Sequence, residues 1–460
     1  MSRAVRGVPV GLFLLLPGVL AAQRTQLEKF IHHRVLPNGL EVIVAESHGV
    51  PLATIEFDVR NGAFTQRPGT EGLAHMYEHM IFKANDELPE PDEFIRRASE
   101  LGASFNGRTQ EERVNYYMTL PSDSLAGGLS LMVSALRGPK FLGSELDRER
   151  EVVLGEYDRN ESNPFFALQR AIDKRLYPGQ WSRKNTIGTR EVLQQVTPAQ
   201  LFEIQRRYYV PNNTALVVTG DVNPDTVFAL AQALLGDWQR GADPFVADPI
   251  PPIPPLEGHS VVFVEQPVGA VTVLVQWQGP SVRKDAAATY AADVFSETLN
   301  QPGSRLQRRL VDSGLFEGLS VHYYTLNNIG PITVSGQTSP ERLKDAMGTL
   351  QKEIQHLADP DYITSDELAA TKARRAVTTA YGFDRASDHA QTIGFWWSVS
   401  GLEYYMGYVD SMAAQTLDDV RGYARKYIVG KPMVVGILLP PEVRSRFGIT
   451  DADVLPRIIP

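Results

Sequence analysis

The stretch EGLAHMYEHMIF, residues 71 to 82, carries two histidines four residues apart inside an otherwise apolar run. The apolar residues recur at helical spacing, and Leu73, Tyr77 and Met80 form a stripe that predicts a helix over residues 71–84 with one face against a core. Ionisable side chains in so apolar a helix need partners. The stretch therefore predicts a functional site as well as a helix.

His75 and His79 are one helical turn apart, so their imidazoles project from the same side of the helix. Glu78 shares that side because it lies three residues after His75. Neutral imidazoles at this spacing are suited to hold one Zn²⁺, and the carboxylate beside them would reach water on the metal. The order inverts the better-known H-E-x-x-H motif and groups the same functions. The alternative is a structural helix whose histidines are satisfied by ordinary hydrogen bonds.

A catalytic zinc needs a third protein ligand, and the best place for it is the acidic segment SELDREREVVLGEYDRNESNP, residues 144–164. A capping pattern at Ser144 predicts the start of a helix there, and Asn163 its end. Glu149 and Glu156 are seven residues apart, so they share one face of this helix. The alternative is that both carboxylates simply solvate a charged helix.

Length and composition predict two or three globular domains. With 460 residues, of which 43% are hydrophobic, the chain is too long for one ordinary core. A proline-rich segment at 242–258 predicts a linker without regular structure between an N-terminal domain, 23–241, and a C-terminal domain, 259–460. The net charge of −9 argues against nucleic acid or an anionic membrane as the main partner. Since the chain has no cysteine, any metal must be held by His, Asp or Glu.

Residues 1–22 predict a cleaved signal peptide. Arg3 and Arg6 precede an apolar core, and Ala21 and Ala22 offer small-residue cleavage sites. The alternative is a membrane anchor, but the apolar stretch is short of the about 20 residues that span a bilayer comfortably, and a proline interrupts it. We therefore expect an exported, periplasmic protein without a stable membrane anchor.

The two halves of the chain open on the same strand–turn–strand pattern, at residues 41–62 and 260–280, which indicates a duplicated domain. A gap-free alignment of the two patterns sets an acidic residue against each histidine: Asp293 against His75 and Glu297 against His79. Only the first half can therefore carry the histidine chemistry.

HMYEH, followed by a glutamate 77 residues after its second histidine, resembles the motif of the pitrilysin/insulinase family of inverzincin peptidases. That family includes the mitochondrial processing peptidases and short bacterial relatives. Three further stretches match it in order: FNGRTQEERVNYYMTLPS (105–122), NTIGTREVLQQVTP (185–198) and RRYYVPNNTALVVTGDV (206–222). The resemblance implies an α+β fold of two homologous domains. Each would be a mixed, mainly antiparallel sheet flanked by helices, and together they would form half of a clamshell around a chamber.

The resemblance also implies roles for individual residues. His75, His79 and Glu156 would be the ligands of one Zn²⁺, and Glu78 would be the general base of a zinc endopeptidase. Glu149 matches a second acidic position of the family, where it would orient a ligand histidine without touching the metal.

Asn106 lies in the FNGRT stretch, which resembles the family's substrate-binding edge strand, and would contact the peptide backbone. The alternative is a hairpin turn, because Asn106-Gly107 is a strong turn signal. Binding of an extended chain in a closed chamber would favour short or unfolded peptides over folded proteins.

One element of the family's pattern is missing. Active members usually carry an Arg and a Tyr, seven residues apart, in the second half, which help to hold the substrate carbonyl. The matching stretch here is SRLQRRLVDSGLFEGLSV, 304–321. One register puts Leu310 and Glu317 at the two positions, and the neighbouring register puts Arg309 and Phe316 there. Neither register restores the pair.

This departure implies a heterodimer in which the present chain brings zinc and a homologous partner brings Arg and Tyr. The alternatives are a homodimer with a degenerate pair, or an insertion that recruits Tyr323 or Tyr324 downstream. A different class of function is a non-catalytic structural or assembly subunit. Such chains typically lose the zinc motif, whereas HMYEH, Glu149 and Glu156 are all present here.

Overall fold

The computed structural model describes residues 22–381 and 385–455. The predicted signal peptide falls almost wholly outside these residues, since Ala22 is the first residue of the first helix. Within the described ranges, no helix combines the length and apolar character needed to cross a membrane.

The strands of the described residues fall into two groups along the chain. The first half contains β1 Ile31–Val35, β2 Glu41–Glu46, β3 Leu52–Val59, β4 Ser104–Thr109, β5 Val114–Pro121 and β6 Thr214–Gly220. The second half contains β7 Ser260–Glu265, β8 Val271–Gln278, β9 Gly318–Tyr323, β10 Pro331–Thr338 and β11 Val434–Leu439.

Helices flank the strands in both halves. Those of the first half and the linker are α1 Ala22–Phe30, α2 Leu73–Ile81, α3 Glu93–Glu100, α4 Leu125–Arg137, α5 Gly143–Glu161, α6 Pro164–Leu176, α7 Arg190–Gln195, α8 Pro198–Tyr208, α9 Pro224–Leu235 and α10 Pro244–Ala247. Those of the second half are α11 Ala286–Leu299, α12 Arg305–Gln307, α13 Leu343–His356, α14 Ser365–Tyr381, α15 Ala386–Val399, α16 Leu402–Met406, α17 Tyr408–Ala414, α18 Leu417–Tyr427, α19 Val443–Arg446 and α20 Asp451–Val454.

The two sheets repeat one topology. The first sheet has the order β1-β2-β6-β3-β5-β4 and the second the order β7-β11-β8-β10-β9, so the two orders agree strand for strand once β1 is set aside. The parallel pairings are also equivalent, β2 with β6 and β7 with β11, and the remaining neighbours are antiparallel. The predicted fold class is confirmed: α+β, with two homologous domains built on mixed, mainly antiparallel sheets.

The histidine helix α2 is shorter than the predicted 71–84. It begins after Gly72, whose φ of +87° lies in the left-handed region, and a Cβ at Gly72 would lie 2.8 Å from the Ile187 carbonyl oxygen. Only glycine fits that start. After the helix ends at Ile81, the Phe82 ring packs on Phe105 with centroids 4.9 Å apart.

Both predicted ends of the acidic helix α5 need correction. Ser144 lies inside the first turn, and Leu142 occupies the N-cap position without a side-chain hydrogen bond. Asn163 does not end this helix, which stops at Glu161. The Asn163 side chain instead accepts a hydrogen bond from the Phe165 backbone N–H and so caps the next helix, α6. Ser144 and Asn163 are both residue types that often cap helices, but neither of them marks an end of α5.

Each sheet is covered on one face by a helix from the other half. Helix α15 of the second half packs its apolar residues on β2 and β6 of the first sheet: Ala390, Ile393 and Trp397. Helix α6 of the first half packs its apolar residues on β8 and β11 of the second sheet: Leu168, Ile172 and Leu176. Each half therefore needs a helix of the other half to cover its sheet. This reciprocal packing holds the first sheet, which carries the candidate site, against the second half.

The linker at 242–258 was predicted to lack regular structure, and this is wrong for one short segment. The short helix α10 forms at Pro244–Ala247, because the Asp243 side chain caps it and proline suits the first helical position. Immediately afterwards, Asp248 pairs with both Arg67 and Arg207, which fastens the linker to the first half. The domain boundaries drawn at this linker remain predictions.

Candidate metal centre and cleft

Three donor side chains converge in the first half, two from α2 and one from α5. His75 Nε2 lies 3.5 Å and His79 Nε2 3.7 Å from Glu156 Oε2, and the donor atoms of all three residues lie within 4.8 Å of one another. These separations are too long for good hydrogen bonds and leave room for a small cation. Among the described residues, this is the one group of three such donors found so close together.

The electrostatics of this cluster suit a cation. Burial, together with neighbouring His79, lowers the pKa of His75 to about 3, so its imidazole is neutral, as a metal ligand must be. Burial acts in the same direction on His79, but the carboxylates of Glu149, Glu78 and Glu156 outweigh it and raise the pKa of His79. Three carboxylates thus surround two imidazoles and a single lysine. A divalent cation would offset that negative charge, so the residues present fit Zn²⁺.

Glu149 fixes the orientation of His79. Its Oε2 accepts the Nδ1–H of His79 at 3.0 Å, and its Oε1 lies 2.6 Å from Lys83 Nζ. With Nδ1 occupied, His79 presents Nε2 to the cluster. The hydrogen bond from His79, with the Lys83 pairing, lowers the pKa of Glu149 to about 2, so this carboxylate stays ionised. Lys83 was not among the predicted site residues, although its spacing of four residues after His79 could have indicated it.

Replacing Glu149 by Gln is expected to weaken zinc binding about 10- to 100-fold, because the charge that orients and polarises His79 is lost. Competition with a chromophoric chelator measures the affinity. Glu151→Gln, an exposed change on the same helix, is the matched control and should leave the affinity unchanged. An equal affinity in Glu149→Gln and the unaltered chain would contradict the orienting role.

Glu78 lies beside the cluster, held against the edge strand β4. Its Oε2 accepts a hydrogen bond from Thr109 Oγ1 at 2.9 Å. Burial raises the pKa of Glu78, while His79 and Thr109 oppose the rise. Gly107 leaves space for this carboxylate, because a Cβ there would lie 2.7 Å from Glu78 Cγ and 2.8 Å from its Oε1. The FNGRT pattern did not predict the contacts of Thr109 and Gly107 with Glu78, because they depend on the position of β4 beside α2.

A cleft of about 570 Å³ contains the donor cluster and is lined entirely by first-half residues. Asn106 lies exposed on its β4 wall, so the alternative of a hairpin turn is wrong: Asn106 and Gly107 both lie inside β4 and pair with β5. Phe82, Phe105 and Ile95 give the cleft part of its apolar lining. The arrangement places the edge strand β4 beside three potential metal donors and a carboxylate.

The second-half positions that match the family's Arg and Tyr lie outside this cleft. Leu310 and Phe316 are buried in the core of the second half. Arg309 pairs with Glu353 across a 3.4 Å Nε–Oε1 distance, and Glu317 is exposed. Neither register therefore brings an Arg–Tyr pair to the donor cluster in the described residues.

The two downstream tyrosines are engaged elsewhere. Tyr323 is buried and donates to the Pro280 carbonyl oxygen at 3.0 Å. Tyr324 donates to Glu111 Oε2 at 3.2 Å and so links the second half to the turn after β4. Neither lines the cleft that holds the donors.

At the counterpart position, the second half holds one arginine among acidic side chains in place of metal donors. Helix α11 follows β8 as α2 follows β3, and it carries Asp293 and Glu297. Arg375 pairs with Glu297 and donates to the Tyr408 hydroxyl at 2.7 Å, and that hydroxyl donates to Asp293 Oδ2 at 2.5 Å. A guanidinium fixed in the chain thus supplies the positive charge here.

Replacing Asp293 by Asn is expected to flatten the dependence of stability on pH. Burial raises the pKa of Asp293 to about 7. Because the folded state therefore binds a proton that the unfolded state has released, the free energy of unfolding falls as the pH rises from about 4 to about 7, on the order of 3 kcal/mol from this group. Urea unfolding with EDTA at pH 4.5, 6 and 7.5 measures the slope. The exposed Asp361→Asn is the control, and an unchanged slope in Asp293→Asn would contradict the assignment.

Two family models match the chain. Residues 41–190 match the model described as insulinase, peptidase family M16. Residues 195–375, from the end of the first half into the half without the histidines, match the model described as peptidase M16 inactive domain. The first match contains His75, His79 and Glu156, and the second contains none of these three donors.

Similar proteins and a similar solved structure are also named as peptidases or proteases. The beta subunit of a mitochondrial-processing peptidase from Dictyostelium discoideum is 24% identical over 387 residues, covering 78% of each chain. An uncharacterized zinc protease from Rickettsia bellii is 21% identical over 370 residues, covering 80% of this chain and 87% of the relative. The crystal structure of a protease from Helicobacter pylori superimposes with a TM-score of 0.79 at 21% identity, covering 89% of this chain and 99% of that one, and shows the same fold.

The repeated sheet and the donor cluster, the one such group among the described residues, define a class: the two-domain fold of a peptidase family that includes zinc proteases. Within that class, the chain belongs to the pitrilysin/insulinase family, peptidase family M16.

Proposed function

We propose that the chain is a zinc-dependent endopeptidase in which His75, His79 and Glu156 hold one Zn²⁺ and Glu78 is the general base. The observation that carries the proposal is the convergence of three donors within 4.8 Å, beside a buried carboxylate. When bound, Zn²⁺ would supply a more acidic water and polarise the peptide carbonyl.

Glu78 is the group that moves the proton. It takes a proton from the attacking water and returns it to the leaving amine. The burial that raises its pKa suits this double task, because the group must accept and release a proton near neutral pH. Thr109 fixes one carboxylate oxygen, so the side chain is held in place before substrate arrives.

The substrate is proposed to be a short or unfolded peptide that adds as a strand to the free edge of β4. This strand is the last of the first sheet and pairs only with β5. Main-chain hydrogen bonds along the edge bind the peptide, with Asn106 contacting its backbone. The apolar part of the cleft lining, with Phe82 and Phe105, would receive an apolar side chain.

A homologous partner chain is proposed to supply an Arg and a Tyr, with a homodimer as the alternative. The proposal rests on the cleft of this chain, which is lined by none of the second-half residues that the structure describes. A relative named as the beta subunit of a processing peptidase agrees with such an assembly. The N-terminal sequence supports export to the periplasm, with cleavage near Ala21 or Ala22.

The test is hydrolysis of a quenched fluorescent peptide by the purified, zinc-loaded chain alone, with Glu78→Gln as control. Activity that disappears in the variant would support the endopeptidase and show that one chain suffices. A folded chain that holds zinc but does not turn over would point to the missing partner. A folded chain that binds no zinc would contradict the proposal and favour a structural or assembly subunit.

A further inference from the structure

Arg108 is an arginine of the cleft that the proposed mechanism does not use. It lies on β4, exposed, and lines the same cleft as His75 and Glu78. Among the described residues, it has neither an ion pair nor a hydrogen bond through its side chain. The other cation of the cleft, Lys83, is held 2.6 Å from Glu149. Arg108 is therefore the cleft cation that remains available to a ligand.

The pleat of β4 decides which way this side chain faces. Along the strand, exposure alternates residue by residue. Phe105, Gly107 and Thr109 face helix α2, as shown by the contacts of the latter two with Glu78. Arg108 shares the opposite face with Asn106, since successive side chains point to opposite faces.

The only strand neighbour of Arg108 gives it no charge partner. On β5, the residue in register with Arg108 is Asn115, whose side-chain amide donates to Glu56 Oε1 at 2.8 Å. Glu56 is fully buried with Arg113. Among the described residues the other edge of β4 is free, so a strand bound there can supply a charge partner for Arg108.

A peptide on that free edge would place one of its side chains directly against Arg108. Glu78 lies over Gly107, so the scissile bond lies beside that residue. The substrate residue in register with Arg108 is then next to the scissile bond, and its side chain shares the face of Arg108. A carboxylate there would pair with the guanidinium, whereas an ammonium would be repelled.

We infer that Arg108 makes this chain select peptides that carry Asp or Glu at one position next to the scissile bond. The inference rests on the proposed function and adds a substrate class to it. The pair is exposed, so its contribution is modest and is screened by salt.

The test uses a neutral, quenched fluorescent peptide and variants with Glu, Gln or Lys at each of three positions on either side of the cleaved bond. At one position, kcat/KM should be about ten-fold higher for Glu than for Lys, with Gln between them, and the ratio should shrink in 0.5 M salt. Arg108→Gln should remove this preference and Arg108→Glu should reverse it. Arg96→Gln, an exposed change on α3, should leave it intact.

Two results would overturn the inference: a Glu preference that survives in Arg108→Glu, or an equal loss of kcat on every peptide in Arg108→Gln. The second would place Arg108 at the peptide backbone or the chemistry. Failure of the zinc-loaded chain to cleave even the neutral peptide would point to the missing partner of the proposed function and not to Arg108. In that case, fluorescence anisotropy of the same peptides on the zinc-loaded Glu78→Gln chain still decides the role of Arg108 by the same comparison.

Discussion

Replacing Glu78 by Gln is expected to lower kcat/KM for peptide hydrolysis by about 10³- to 10⁴-fold, because general-base catalysis is lost. The amide has the shape of the carboxylate and can still accept the hydrogen bond from Thr109 Oγ1. Zinc should therefore remain bound at one per chain. Steady-state kinetics and elemental analysis of the same preparation make the two measurements. If the chain needs a partner, the kinetics are done on the reconstituted pair.

The exposed Glu90→Gln is a suitable control for the loss of one negative charge, and it should leave both the kinetics and the zinc content unchanged. Zinc retained together with full activity in Glu78→Gln would refute the role of Glu78. Loss of zinc in that variant would show instead that Glu78 helps to hold the metal.

Replacing Glu156 by Gln is expected to weaken zinc binding by more than about 100-fold, beyond the range typical of groups that only orient a ligand. Glu156 Oε2 faces the Nε2 atoms of both histidines, at 3.5 and 3.7 Å, so its loss removes one of three donors. Zinc should raise the melting temperature of the unaltered chain but not of the variant at the same concentration. Activity should fall with zinc occupancy.

Glu151→Gln, exposed on the same helix, controls for the change of charge on α5. The order of affinities should be the unaltered chain, then Glu149→Gln, then Glu156→Gln. If the Glu149→Gln variant bound zinc more weakly than the Glu156→Gln variant, the roles of ligand and orienting residue would have to be exchanged.

The sequence was sufficient for the elements whose signals are local. The apolar spacing around Tyr77 predicted α2, and the repeated strand–turn–strand pattern predicted a duplicated domain, which the shared strand order confirms. Helix ends were less predictable: Ser144 lies inside the first turn of α5, which begins without a side-chain cap, and Asn163 caps α6 instead of ending α5. The reciprocal packing of α6 and α15 on the opposite sheets was not predicted, because it depends on contacts between distant parts of the chain.

In the site too, residues related by local spacing were predictable from the sequence, and residues on other elements were not. The spacing of His75 and His79 is a helical-turn signal, so their proximity follows from local structure. Glu156 lies on another helix, and spacing alone left it undecided between a ligand and a solvated carboxylate; the resemblance to the family selected it. Thr109 and Arg108 were missed because their roles depend on which face of β4 lies against α2, which the pairing with β5 fixes.

The most direct test of the account is anomalous X-ray diffraction at the zinc edge from crystals of the zinc-loaded chain. The account predicts one strong peak per chain, within about 2.0–2.2 Å of His75 Nε2, His79 Nε2 and a Glu156 oxygen. A peak among other side chains, or none at this cluster in crystals that contain zinc, would contradict the central claim that these three residues form the metal centre.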